Sequence, residues 1–176
     1  MNGPVSRVVR AGLAVVALVA GIGLAGPLPR AQAVDTAAYI ALVAPMAQQA
    51  SGLYGVPASV TIAQSILESG WGQSTLATQA NAYFGIKCNA SYTPYSTSCY
   101  TIATQEYDPV TATYYTVTAD FRKYAAVTDS ILDHGYFLSH SSRYAGAFAY
   151  KDNPDQFIRE VATAGYATSP VYAASV

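Results

Sequence analysis

The feature that constrains this fold most is a change of period along the chain. From Asp35 to Gln79 apolar residues recur at helical spacing. From Asn81 to Phe121 they alternate in twos among β-branched residues and tyrosines, and from Tyr124 the helical spacing returns. The pattern predicts an α+β fold, mainly α: a helical body with a β-lobe inserted after the helix that ends at Glu68. Clefts between two such lobes are common places for catalysis.

Local signals set the expected boundaries. Asp35 or Thr36 can cap a first helix through Tyr39, Val43, Ala47 and Ala50, with Pro45 predicting a kink or break inside it. Gly52 to Pro57 reads as the connector. The second helix stops at Glu68–Gly70, and a short one covers Ser74 to Gln79. Strands are expected at Tyr100–Glu106 and Tyr114–Phe121, as a hairpin or small three-stranded lobe turning at Asp108-Pro109. A helix from Tyr124 to about Leu138 comes next. The last begins at Asn153-Pro154, a cap followed by Pro, and runs to Thr163.

The first 33 residues read as a leader rather than as fold. Arg7 and Arg10 precede an uncharged apolar run, Ala11 to Ala25, and Ala31-Gln32-Ala33 has the form of a cleavage site. The run is short for a membrane span, which needs about 20 residues. Residues 34–176 are then one secreted domain. Cleavage removes three basic residues and no acid, leaving a net charge of −4. That balance disfavours nucleic acid and anionic membranes as partners. In an exported chain Cys88 and Cys99 are expected to pair as a disulfide. His134 and His140 sit six apart, on different faces of one helix, so no metal or cofactor is expected. No assembly signal appears, and a monomer is expected.

One stretch needs a chemical explanation: Ala-Gln-Ser-Ile-Leu-Glu68-Ser-Gly-Trp71-Gly. A lone carboxylate stands in the last turn of an apolar helix, at the unfavourable end of the helix dipole. Beside a Trp and partly desolvated, it would hold its proton toward neutrality, as a general acid must. The plain alternative is a surface Glu before a Gly cap. The chain has three glutamates, Glu68, Glu106 and Glu160. Glu160 reads as a solvated helix residue beside Arg159. Glu68 and Glu106 fall in different lobes, and two carboxylates across a cleft suffice to break a glycosidic bond.

Six blocks in register carry a resemblance that covers nearly all of residues 34–176. The stretch around Glu68 resembles the signature of the glycoside hydrolase family 73 endo-β-N-acetylglucosaminidases, the bacterial autolysin and flagellar-assembly peptidoglycan hydrolases. Ala80-Asn81-Ala-Tyr-Phe84-Gly-Ile-Lys87, Thr104-Gln-Glu106-Tyr107, Phe121-Arg-Lys-Tyr124, Ser142-Arg-Tyr144 and Gly165-Tyr166-Ala-Thr-Ser-Pro-Val-Tyr172 are similar to its further segments, the third as a helix start.

The resemblance implies a lysozyme-like helical body and hydrolysis of the GlcNAc-β-1,4-MurNAc bond of peptidoglycan. It implies Glu68 as general acid, helped by hydrogen bonds from small turn residues. Glu106 would be base, or helper to attack by the substrate's 2-acetamido group. Tyr166 would stand near the reaction centre, and Trp71, Asn81, Phe84, Tyr144 and Tyr172 are candidates for contacting sugar. Ser169 replaces a family Asp, Ala82 replaces an Asn, and the chain stops at Val176 where a further helix turn is expected. A lytic transglycosylase of the same fold, or a non-catalytic wall-binding module, are the other readings.

Overall fold

The computed structural model describes residues 34–89, 93–108, 111, 113–167, 169 and 171–176. The leader expectation for residues 1–33 and the turn residue Pro109 lie outside them. Helix α1, Thr36–Tyr54, opens where Asp35 accepts a hydrogen bond from the Ala38 N–H at 2.9 Å. It closes at Gly55, whose φ of 73° is left-handed.

Pro45 neither breaks α1 nor ends it. Pro45 and Ala41, whose carbonyl it leaves without a donor, lie on the exposed face, where water can satisfy that carbonyl. The connector therefore shrinks to Gly55–Pro57. Helix α2, Ala58–Ser69, and helix α3, Thr75–Ala80, match the predicted bounds, with Ser74 capping α3 by accepting from the Ala77 N–H.

The inserted lobe is a long antiparallel hairpin, β1 (Ser96–Asp108) and β2 (Thr113–Tyr124), with Tyr107 facing Tyr114 at one end and Cys99 facing Arg122 at the other. It is two-stranded. A third rung is limited to Lys87 bridging Phe121, flanked by the Cys88 N–H donating to the Asp120 carbonyl at 2.8 Å. The Cys88–Cys99 disulfide, with Cα atoms 5.7 Å apart, ties this rung to β1 at the hairpin's base. Along β2 the first residues are exposed and Phe121, Arg122 and Tyr124 are buried, so the hairpin is rooted in the body and its tip projects.

Phe121 lies in a strand as its alternation predicts, but β2 runs on to Tyr124, where the resemblance and the helical spacing place a helix start. Helix α4 begins only at Val127, where the Asp129 carboxylate accepts from the Ala126 N–H. The cause is tertiary. Arg122 and Tyr124 alternate onto one face of β2, and both reach Asp133 on α4. A 3-10 helix, Ser142–Tyr150, then leads to α5, Pro154–Thr163, capped by Asn153 as expected, and to a short α6, Tyr172–Ser175.

Two apolar clusters hold the body. Tyr39, Val43, Ala50, Phe84 and Ile131 pack between α1, α3 and α4. Val60, Leu138, Phe157, Val161 and Tyr166 pack between α2, α4 and α5. Among the described residues no helix is long and apolar enough to cross a membrane.

Candidate active site

Glu68 is the next-to-last residue of α2, and beyond Ser69 the chain bends through an abrupt left-handed turn. Gly70, Trp71 and Gly72 have φ of 56°, 59° and 75°. Glycine adopts such angles without a Cβ penalty, and Trp71 bears the cost between two of them. Buried serines brace the turn. The Ser69 hydroxyl donates to the Ser65 carbonyl and accepts from the Gly72 N–H at 2.7 Å, while the Tyr39 hydroxyl donates to Ser65 Oγ at 3.0 Å. Trp71 packs edge-on against Tyr39, with ring centroids 5.4 Å apart. Trp71 and the small turn residues thus secure the helix exit, and their hydrogen bonds do not reach the Glu68 carboxyl itself.

The carboxyl opens into a cavity of about 240 Å³ between body and hairpin, lined by Ser74, Thr75, Leu76 and Gly85 on one side and by Ile102, Thr104, Gln105 and Phe121 on the other. Its partner is Tyr172, whose hydroxyl donates to Glu68 Oε1 at 2.8 Å. That hydroxyl oxygen accepts in turn from Gln64 Nε2, also at 2.8 Å. Burial pushes Glu68 up to about 7, and the Tyr172 bond, which favours the carboxylate, pulls the other way. Desolvation wins. The group can therefore hold a proton near neutrality beside a space large enough to admit part of a ligand.

Tyr166 lies directly behind this pair. Its ring stacks on Tyr172 at 5.7 Å and it is fully buried, its hydroxyl without a hydrogen-bond partner among the described residues. Burial first, then the neighbouring Tyr172 and Glu68, keep that hydroxyl protonated.

The other expected positions divide. Glu106 sits in β1 opposite Tyr115, two residues beyond Thr104 of the cavity wall; its side chain is outside the described set. Phe84, expected to contact sugar, is only 1% exposed, its ring stacked 3.9 Å from that of His134. Tyr144 is likewise in the core, against Phe137 and Tyr166. Both fill the apolar clusters, which leaves no ring face for a ligand. Asn81 fixes a loop: its side-chain amide donates to the carbonyls of Tyr124 and Ala125 at 3.1 and 3.2 Å. Tyr172, expected as a sugar contact, holds the carboxyl.

Two features are not evident from sequence. Gln64 stands one helical turn before Glu68, a spacing that puts both on one face and could have drawn attention to it. The second is Asp133, fully buried, which accepts from both Arg122 Nη1 and the Tyr124 hydroxyl, anchoring hairpin to body. No local pattern announces that cluster. Among the described residues no group of three His, Cys, Asp or Glu side chains is placed to hold a metal ion.

The peptidoglycan hydrolase FlgJ of Pseudomonas aeruginosa is 36% identical over 156 residues, covering 85% of this chain and 38% of the relative. The exo-glucosaminidase LytG of Bacillus subtilis is 37% identical over 125 residues, covering 68% of this chain and 42% of the relative. The chain thus spans well under half the length of these curated relatives. In three dimensions it superposes on a peptidoglycan hydrolase mutant from Sphingomonas sp. A1 with a TM-score of 0.66 at 30% identity, covering 78% of this chain and 88% of that one. Residues 44–176 match the glucosaminidase family, described as mannosyl-glycoprotein endo-beta-N-acetylglucosaminidase, and the chain belongs to that family.

Proposed function

We propose that this chain is an exported, monomeric peptidoglycan hydrolase that cuts the β-1,4 bond between N-acetylglucosamine and N-acetylmuramic acid, acting at the cell wall. The observation that carries the reading is Glu68: a carboxyl raised to about 7 by burial, gripped at one oxygen by Tyr172, at the edge of an inter-lobe cavity. In this reading its proton passes to the glycosidic oxygen as the bond to the anomeric carbon breaks.

The oxocarbenium-like centre is then met in one of two ways. Glu106 takes a proton from water attacking the opposite face, or the substrate's own 2-acetamido oxygen attacks and Glu106 assists. The position of Glu106 in β1, beside cavity-lining residues, supports its participation in either route. Tyr166 acts from behind, supporting the ring of Tyr172. The net negative charge of residues 34–176 fits a glycan rather than a polyanion as the partner.

A second reading rests on the same carboxyl: Glu68, protonated toward neutrality and open to the cavity, would also serve an enzyme with one acid. A lytic transglycosylase needs one acid and no water. Digestion of purified peptidoglycan by wild type beside Glu68→Gln, with reduced products weighed by mass spectrometry, separates these. Reduced N-acetylglucosamine ends, absent from the mutant digest, are expected. Anhydro-muramic ends would replace hydrolysis by transglycosylation, and binding without release would reduce the chain to a wall-binding module.

A further inference from the structure

Gln64 is fully buried on α2, one turn before Glu68 and on the same face. Its Nε2 donates to the Tyr172 hydroxyl oxygen, and that hydroxyl donates to Glu68 Oε1, each at 2.8 Å. The other end of its amide, Oε1, is buried without a hydrogen-bond partner among the described residues. Such an unpaired acceptor is destabilising, because its lost hydration is not replaced. A methionine of similar length would avoid that cost. What the amide supplies, and methionine would not, is a donor aimed at Tyr172.

Resting on the reading of Glu68 as the general acid, we propose that Gln64 is a positioning residue that sets the direction of the Tyr172 hydroxyl and so decides which oxygen of Glu68 delivers the proton. A phenol has a single proton. With its oxygen accepting from Gln64, that proton goes to Glu68 Oε1. Oε1 is thereby committed as an acceptor, and Oε2 is the oxygen that carries the proton for the substrate.

Without Gln64 the hydroxyl is free to rotate and accept from Glu68 instead, which turns the acid's proton away from the cavity. The amide N–H also polarises the phenol and strengthens its donation. The titratable groups facing Glu68 are Tyr172 from α6 and Tyr166 from the segment after α5, both kept protonated by burial. The described side chains of the cavity wall bring no other charge, and Glu106 stands in β1 two residues beyond Thr104 of that wall.

The small number of glutamates makes the test direct. Protein labelled with ¹³C at glutamate carboxyls gives three side-chain signals, from Glu68, Glu106 and Glu160. The one lost in Glu68→Gln belongs to Glu68. Its titration midpoint is followed in wild type, Gln64→Met, Tyr172→Phe and the double variant. Gln64→Met is expected to raise the midpoint by roughly half a pH unit, since a donor to the carboxylate is weakened.

Tyr172→Phe raises it at least as far, and the double variant no further than Tyr172→Phe, because Gln64 acts through Tyr172. The melting temperature of Gln64→Met holds or rises, while turnover on peptidoglycan falls roughly tenfold from the misdirected proton. An unshifted midpoint in Gln64→Met, or shifts in the two single variants that add in the double, overturns the proposal. Should Gln64→Met fold poorly, Gln64→Leu carries the same comparison. The titration needs no substrate, so an inert wild type would remove the hydrolase reading and leave this test intact.

Discussion

Burial lets the Glu68 carboxyl hold its proton toward neutrality, which is what a general acid near pH 7 requires. If Glu68 is the acid, activity on peptidoglycan is high below about pH 7 and declines as pH rises through that value. Glu68→Gln abolishes turnover at every pH, read in the same digest. The shift also acts on stability. Folded Glu68 keeps its proton up to about pH 7, whereas unfolded it ionises near 4.5, so stability falls as pH rises across that window. His134, buried and uncharged, is pushed down to about 3 from 6.5 by desolvation, so its contribution is lost as pH falls below 6.5. Between about 4.5 and 6.5 these slopes oppose, and the wild-type melting temperature is expected to be nearly flat. In Glu68→Gln one slope is gone. Its melting temperature should climb over that interval and exceed wild type by roughly 5 °C near pH 8, as thermal scans across pH will show.

At the scale of elements, the exit of α2 matters most, because it fixes where Glu68 points. Gly70 and Gly72 are both left-handed yet differ in surroundings. A Cβ on Gly72 would lie 3.0 Å from the Tyr83 hydroxyl and 3.3 Å from the Tyr39 ring, whereas one on Gly70 meets nothing within 4 Å. Gly70→Ala should therefore cost about 1 kcal/mol, the backbone penalty alone. Gly72→Ala should cost about 3 kcal/mol, adding the strain of crowding a packed site. Urea denaturation of the two variants distinguishes these values. A Gly72→Ala cost equal to that of Gly70→Ala would mean that the Tyr83 and Tyr39 rings yield freely. The hairpin is a second kind of element, buried at its base and exposed at its tip, so the wall of the cavity that it supplies depends on how its base is held.

Over the whole molecule, two cross-links hold that base. Arg122 Nη1 donates to both Asp133 oxygens at 3.0 and 2.8 Å, and the Tyr124 hydroxyl donates to Oδ2 at 2.6 Å. Asp133→Ala strands a guanidinium that is 4% exposed, and a loss of about 3–5 kcal/mol is expected in chemical denaturation. The Cys88–Cys99 bond contributes about 3 kcal/mol by shortening the unfolded chain, so reduction should lower the melting temperature by roughly 8 °C. A smaller drop would show that the rung at Lys87 holds without it.

Much of this architecture comes from rules that operate over a few residues. The caps at Asp35, Ser74 and Asn153, the stop at Gly70, the period-two hairpin and the oddity of Glu68 could all be read from the chain, since a backbone group finds these partners within about four positions. Pro45 within a continuous helix could not, because its tolerance depends on which face meets water. Nor could the continuation of the strand from Phe121 to Tyr124, which is settled by Asp133 on another element. Phe84 and Tyr144 had aromatic chemistry suited to sugar, and packing consumed it. The environment of Glu68 is the clearest case. Gln64 and Glu68 are neighbours on one turn, but Tyr172, which joins them, lies 108 and 104 residues away. Local sequence specifies backbone conformation and supplies the carboxyl. Folding alone brings that distant hydroxyl to it and removes the water, and desolvation against one directed hydrogen bond sets the proton affinity of Glu68.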